Sequence, residues 1–164
     1  MVPKMAHAAK SLSLLIADDD ENDYVLLNCA ARRAHLPAQL CWVKDGLELL
    51  EYLRGQGCYG DSANYPKPAV VLLDLNMPRK NGRDTLQEIR QDSGLRSLPV
   101  VIFTTSKSSE EIQLAYEAGA NSFLTKPPEF QRLVEMMEVL KRYWFETVTL
   151  PGNQPQLTSG NRDA

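Results

Sequence analysis

Four groups of this sequence can do chemistry together: the acid pair Asp18-Asp19, the acid Asp74, the hydroxyl of Thr104 and the amine of Lys126. Each lies at the carboxyl end of a short apolar run, "SLLIA", "AVVLLDL", "PVVIF" and "NSFLT" in turn. A carboxylate such as Asp74 can act as a nucleophile and form an acyl phosphate. Phosphoryl transfer asks for charge neutralisation and in-line positioning more than for covalent machinery. The other groups supply these. A carboxylate cluster suits a hard divalent cation, and Mg²⁺ takes one or two direct carboxylates while keeping several waters. Lys126 adds a point charge for one phosphoryl oxygen, and the Thr104 hydroxyl can hydrogen-bond another. Singly, each residue reads equally well as a cap or a solvated loop residue, because acids and threonines also cap the helices that follow strands. Four together, each ending a different strand, do not.

The stretch "LLIADDDEND" sharpens the assignment of the acids. Two carboxylates ~5 Å apart at an effective dielectric near 20 repel by roughly 3 kcal/mol. Asp18 and Asp19 end the strand, and a cation shared with Asp74 offsets their repulsion. Asp20 and Asp23 open the helix that follows, where the dipole and free N–H groups favour negative charge. Glu21 has no task beyond that dipole.

The elements that must position these groups are legible as alternation. Apolar runs at 13–17, 38–43, 69–75, 99–103 and 121–125 are short, continuous and partly β-branched, as expected of strands buried on both faces. Helical patterns lie between and after them. In 20–34, Leu27, Ala30, Ala31 and Ala34 share a face. Further helices are expected over 46–54 and 84–92, and from Ser108 to Gly119, where Ser108 and Glu111 fit a capping box. The last runs over 129–145 with Phe130, Leu133, Val134, Met137, Leu140 and Trp144 in its stripe. Fivefold strand–helix alternation implies right-handed crossovers and an α/β fold with a parallel sheet. In the usual open orders the first strand lies beside the third, and ligands bind outside the strand carboxyl ends at the switch point. That geometry brings Asp18, Asp19 and Asp74 together.

Composition narrows the class. The chain has 164 residues, 43% of them hydrophobic, which fits one globular domain and argues against wholesale disorder. A net charge of −3 gives no electrostatic case for nucleic acid or an anionic membrane as partner. Cys29, Cys41 and Cys58 are odd in number and form no C-x-x-C, so they read as buried or incidental thiols of a reducing compartment. No leader or membrane span is evident, and a cytoplasmic chain is expected. The loop 55–68, with three Gly and two Pro, should be exposed and partly irregular. Residues 1–11 and 151–164 are expected to be disordered, flanking one domain over 12–150.

The motifs "LLIADD", "LLDLNMPRKNG", "PVVIFTTS" and "SFLTKP" resemble, in order and spacing over 12–145, the CheY-like receiver domain of two-component response regulators. The resemblance implies a five-stranded parallel sheet in flavodoxin-like order 2-1-3-4-5 with five helices on both faces. It implies Asp74 as phosphoacceptor for a histidine kinase. Asp19 would ligate Mg²⁺ directly, Asp18 mainly through water, and Asn76 through its backbone carbonyl. Thr104 would be the switch hydroxyl, Phe123 the switch aromatic and Lys126 the phosphate-side cation, with Pro127 following a cis peptide bond. "CYGDSANYPKP", "TTSKSSEEI" and "LVEMMEVLKRYWFETVTLP" narrow the resemblance to single-domain regulators associated with bacterial phytochrome kinases, which form dimers. The chain departs from the family pattern in its second proline, Pro128. Phe123 also lacks a hydroxyl, so a switch there works by packing alone.

A second apolar stripe, Met136, Val139 and Tyr143 with Phe145, Val148 and Leu150 beyond, reads either as a tail folded over its own domain or as an association surface. The resemblance favours a homodimer face including Tyr116, Met136, Tyr143, Trp144 and Phe145. His7 and His35 are expected in solvent, Trp42 in the core, and Arg79, Lys80 and Arg83 on a solvated basic edge near a kinase-docking surface. With no output domain after residue 150, signalling is expected to pass through protein contact, and the only reactions to be the chain's own phosphorylation and dephosphorylation. Two rivals stand beside this reading. A haloacid-dehalogenase-type phosphatase also uses a strand-end Asp with Mg²⁺, but it carries D-x-D, where this chain has Asp74-Leu75-Asn76, and its metal acids follow the nucleophile. A phosphorylation-independent receiver-like scaffold usually has degraded acids and lysine, and here all are present.

Overall fold

The structure, a computed structural model, describes residues 12–152. The expected disorder of residues 1–11 and most of 151–164, and the expected exposure of His7, lie outside the described residues. Five strands, β1 (Leu12–Ala17), β2 (Ala38–Val43), β3 (Val70–Leu73), β4 (Val100–Thr104) and β5 (Ser122–Thr125), pair in parallel in the order β2-β1-β3-β4-β5. Between and after them run α1 (Glu21–Arg33), α2 (Gly46–Arg54), α3 (Gly82–Gln91), α4 (Ser109–Glu117) and α5 (Phe130–Leu140). The α/β class and the order 2-1-3-4-5 are as expected.

The apolar runs are continuous because alternate residues serve opposite cores. Leu14, Ile16, Leu72 and Phe103 pack with Leu27 of α1 and Met137 of α5, while Leu15, Leu73 and Ile102 pack with Leu49 of α2, Leu86 and Ile89 of α3 and Ala115 of α4. A fully buried leucine or isoleucine contributes roughly 1.5–3 kcal/mol, so these two layers fix the strand ends firmly. Every βα turn delivers its helix N-terminus to the carboxyl edge of the sheet, and four of the five are capped by side chains. Asp20 accepts from Asn22 N at 2.8 Å, Asp45 from Glu48 N at 2.9 Å, Asn81 from Asp84 N at 2.9 Å and Ser108 from Glu111 N at 3.4 Å. The capping box at α4 is only half made: the Glu111 carboxylate takes the Ser106 hydroxyl, and Ser106 Oγ accepts the Ser108 N–H at 3.2 Å.

Several expectations need correction. No cis peptide bond occurs among the described residues, so Lys126–Pro127 is trans. An X–Pro bond still favours trans by about 0.5–1 kcal/mol, and from the trans form the Lys126 amine reaches its partners without help. The last α-helix ends at Leu140 rather than near 145, and Lys141–Thr147 continues as a wider π-helical segment. Trp144, Phe145 and Val148 then lie half-buried against the α1/α5 core and Leu150 is buried, so this part of the tail does fold over its own domain. The 55–68 loop is mostly exposed, with a short 3₁₀ turn at Gly57–Gly60, but it is pinned by three tyrosines. Tyr52, Tyr59 and Tyr65 meet with ring centroids 4.9–5.9 Å apart, and the Tyr52 hydroxyl donates to Pro66 O at 3.0 Å. Cys29 and Cys58 are exposed, Cys41 is half-buried, and His35 is exposed.

Candidate functional site

The β1–β3 pairing places the two groups of acids side by side. Asp18 N donates to Val43 O at 3.1 Å and Asp74 N donates to Ala17 O at 3.0 Å, so both acids leave the sheet at the same edge, one strand apart. Oxygens of Asp18, Asp19 and Asp74 lie within 4.8 Å of one another. Asp18 is 1% and Asp74 7% exposed, whereas Asp19 is open to solvent. Convergence of acids 56 residues apart in sequence (74 − 18) follows from the strand order alone.

Lys126, just past β5, crosses to them. Its Nζ donates to Asp18 Oδ2 at 2.5 Å, Asp23 Oδ2 at 2.8 Å and Asp74 Oδ2 at 3.0 Å. Its backbone N–H donates to Thr104 O at 2.7 Å, which fixes the root of the side chain. Burial pulls the ammonium down, but the hydrogen bonds to Asp18 and Asp23 and the charge of Asp74 outweigh it and hold the group above the ordinary lysine range. Burial pushes the Asp18 carboxyl up, and the Lys126 hydrogen bond only partly opposes this. The second oxygens are also engaged: Asp18 Oδ1 accepts from Asp20 N at 2.9 Å and Asp74 Oδ1 from Asn76 N at 3.2 Å.

Thr104 closes β4 with its hydroxyl buried and without a hydrogen-bond partner in the described structure. An orphaned buried hydroxyl is costly and calls for an explanation. Phe123 of β5 is half-buried against the α2/α3/α4 core, and its N–H donates to the Tyr116 hydroxyl of α4 at 3.2 Å. Tyr116 is thereby tied to the sheet edge although 47% exposed. Thr105 is exposed beside the site.

The loop from Asp74 to α3 is held from two sides. A Cβ at Gly82 would collide with the Asp74 carbonyl, so only glycine lets α3 start so close to the acid, and Gly82 N donates to Leu75 O at 2.9 Å. Arg79 pairs with buried Asp45 at 2.7 Å and Lys80 with Glu88 at 2.7 Å. The basic edge expected from Arg79, Lys80 and Arg83 is thus largely neutralised within the molecule.

All the expected site residues at the strand ends converge: Asp18, Asp19, Asp74 and Lys126 in one cluster, Thr104 through its carbonyl on Lys126. Outside this cluster, Met136, Tyr143 and Trp144 line a groove with Ser122 and Leu124 of β5, Tyr116 is exposed on α4, and Phe145 packs on the α1/α5 core. Sequence reasoning missed Asp23 as a third carboxylate on Lys126, Gly82 behind Asp74, and Trp42, which is half-buried rather than core and donates its Nε1–H to Asp18 O at 2.8 Å. The D-x-D pattern of phosphatases has no counterpart, since Asn76 meets Asp74 only through its backbone amide among the described contacts.

The donor set is all oxygen and carboxylate-rich, which fits a hard divalent cation. A largely covered lysine just past β5 and an orphaned hydroxyl at the end of β4 fit an anion bearing several oxygens.

Comparison with known proteins agrees with this chemistry. The response regulator receiver domain family matches residues 14–138. Response regulator Rcp1 of Synechocystis is 36% identical over 84% of this chain and 92% of its own. The Mn²⁺-bound form of Rcp1 superposes with a TM-score of 0.75, at 36% identity, over 85% of this chain and 99% of that one. The phosphorylated cyanobacterial phytochrome response regulator RcpA gives 0.77 at 34% identity, over 85% and 98%. Response regulator RPA3017, in red light signaling of R. palustris, gives 0.81 at 38% identity, over 85% and 98%. On its sequence, its fold and the arrangement of its strand ends, the chain belongs to the response regulator receiver domain family.

Proposed function

We propose that Asp74 is the phosphoacceptor of a two-component switch, loaded by a histidine kinase in the presence of Mg²⁺. Receiver domains accept phosphoryl groups from histidine kinases and are not generally catalysts of a separate substrate reaction. The observation that carries the assignment is the clustering of Asp18, Asp19 and Asp74 at the strand ends, with Lys126 paired to Asp18 and Asp74.

In this reading an Asp74 oxygen attacks the phosphorus of a phosphohistidine. The P–O bond forms, the P–N bond breaks, and the imidazole leaves with the electron pair. Mg²⁺, when bound, neutralises charge on the transferred group. Asp19 and Asp74 would hold it directly, Asp18 mainly through water and Asn76 by its backbone carbonyl. Lys126 is already aimed at Asp74 and takes a phosphoryl oxygen, exchanging carboxylate partners for it. Thr104 Oγ gains in the phosphorylated state the hydrogen-bond partner it otherwise lacks. That gain draws Thr104 inward, and Phe123 repacks by shape alone. The tie from Phe123 N to the Tyr116 hydroxyl then carries the change to α4.

The likeness to the phytochrome response regulator RcpA supports a phytochrome as the kinase partner, and that to RPA3017 supports red light as the input. No helix among the described residues is long and apolar enough to cross a membrane, and the switch is assigned to the cytoplasm. The face of α4, β5 and α5 is assigned to a homodimer. Val139 is 61%, Tyr143 53% and Tyr116 47% exposed, while Trp144 and Phe145 are half-buried against the α1/α5 core.

Labelling tests the assignment. The parent chain with Mg²⁺ and a small phosphodonor should acquire a hydroxylamine-labile phosphoryl group, and Asp74→Asn should acquire none. Undiminished labelling of Asp74→Asn would remove Asp74 from the reaction.

A further inference from the structure

The three acids of the site are not held alike. The Asp18 carboxylate is fixed by Lys126 and by Asp20 N, and the Asp74 carboxylate by Lys126 and by Asn76 N. Among the described residues no hydrogen bond or ion pair holds the Asp19 carboxylate, which is exposed. Its direction is therefore set by its own backbone. That backbone begins with the Asp18–Asp19 peptide, a rigid plane that runs from the Asp18 carbonyl to the Asp19 Cα. The Asp18 carbonyl accepts the indole N–H of Trp42 at 2.8 Å. One residue on along β2, Val43 O accepts the Asp18 N–H at 3.1 Å. Both peptide groups of Asp18 are thus pinned to β2, one by the backbone and one by a side chain.

The indole is itself held. Its ring stacks on Tyr24 with centroids 5.2 Å apart and planes 9° from parallel, and Tyr24 N donates to Asp20 O at 3.2 Å. The ring is wedged between the strand that precedes α2 and the first turn of α1. The Asp18–Asp20 turn is clasped between them. Indole is a donor only, so it can satisfy a carbonyl here and nothing else. Lys126 neutralises part of the repulsion among these three carboxylates, whose oxygens lie within 4.8 Å, and the remainder, which includes the unpaired Asp19, bears on this turn. The Trp42 hydrogen bond opposes that remainder.

We infer that Trp42 is a positioning residue for the cation site, acting through the Asp18–Asp19 peptide to aim the Asp19 carboxylate. The inference rests on the reading of the site as a phosphoacceptor with a divalent cation. Trp42→Phe keeps an aromatic ring against Tyr24 and removes the donor. The probe is Mn²⁺ alone, with free Mn²⁺ read by electron paramagnetic resonance on the full chain. Mn²⁺ affinity should fall about fivefold, and the metal-free melting temperature should fall modestly, because the same hydrogen bond also holds the fold. A lowered melting temperature with unchanged Mn²⁺ affinity would make Trp42 purely structural and overturn the inference. A parent chain that binds no Mn²⁺ would instead overturn the phosphoacceptor reading itself. Should Trp42→Phe fail to fold, the Trp144→Phe chain decides, because Trp42 is then the only indole of the two. Its emission should shift on Mg²⁺ addition over the same concentrations at which Mg²⁺ displaces Mn²⁺. Flat emission during that displacement would overturn the inference.

Discussion

Asp18 and Asp20 stand two positions apart and work in opposite senses. Burial holds the Asp18 carboxyl above its ordinary range. A folded-state pKa above the unfolded one means the folded chain binds the proton more tightly. Stability from this group therefore falls as pH rises from the ordinary carboxylate range through the raised value. At neutral pH the ionised Asp18 is a liability in the metal-free chain. Asp18→Asn, melted in chelator, should have a higher melting temperature than the parent at neutral pH. The gain should vanish well below the ordinary carboxylate range, where Asp18 is neutral in both states, and Mn²⁺ binding should be weakened throughout. A lower melting temperature at neutral pH would mean that the ion pair with Lys126 outweighs desolvation. Asp20, exposed and capping α1, should show the reverse. Asp20→Ala should cost about 1 kcal/mol in urea denaturation and leave Asp74 phosphorylation intact. The strand-end acids were legible because each interrupts an apolar run. Asp23 was not: a first-turn acid has the same spacing whether it faces water or a lysine 103 positions away.

At the scale of elements, the site depends on how α2 and α3 are clasped behind it. Glu88 on α3 accepts from Lys80 in the loop after Asp74 and from Arg54 at the end of α2, at 2.7 and 3.1 Å. The hydrogen bond from Lys80 and then that from Arg54 hold its carboxyl below the usual range. A depressed folded-state pKa gives stability that is present above the ordinary glutamate value and is lost as pH falls through the folded one. Glu88→Gln should therefore destabilise the chain at neutral pH, by less than about 1 kcal/mol because solvent screens the pair. The difference should disappear in acid and shrink in high salt, as urea midpoints at two pH values and two ionic strengths would record. A difference that persists in acid would assign the effect to packing. The caps of α1 and α4 were legible from Asp20 and Ser108, since an N-cap is a local signal. The π-helical turn after Leu140 was not, because it follows from the packing of Trp144, Phe145 and Val148 on the α1/α5 core. Gly82 likewise carries no sign in its neighbours that an acid carbonyl lies where its side chain would be.

At the scale of the whole molecule, the two-sided apolar strands made the sheet and its order legible, because continuous strands joined by helices admit few packings. The fate of the C-terminal stripe was not legible, since a core stripe and an interface stripe have the same periodicity. The structure divides it. Phe145, Val148 and Leu150 turn onto the α1/α5 core, whereas Val139, Tyr143 and, on α4, Tyr116 are exposed. Only the outward set can drive association, so the proposed homodimer is best broken there. Tyr143→Glu places a charge within that exposed set, and a charge left unpaired in an apolar contact is strongly unfavourable. Because Tyr143 is 53% exposed, the same change should move the unfolding midpoint of the monomer little. Sedimentation velocity should show the parent as a dimer and Tyr143→Glu as a monomer at equal concentration. Phe145→Glu should instead lower the melting temperature, since Phe145 packs on its own core. A parent that sediments as a monomer, phosphorylated or not, would leave the α4–β5–α5 face to a different protein. A Tyr143→Glu dimer as tight as the parent's would move the interface elsewhere on the chain.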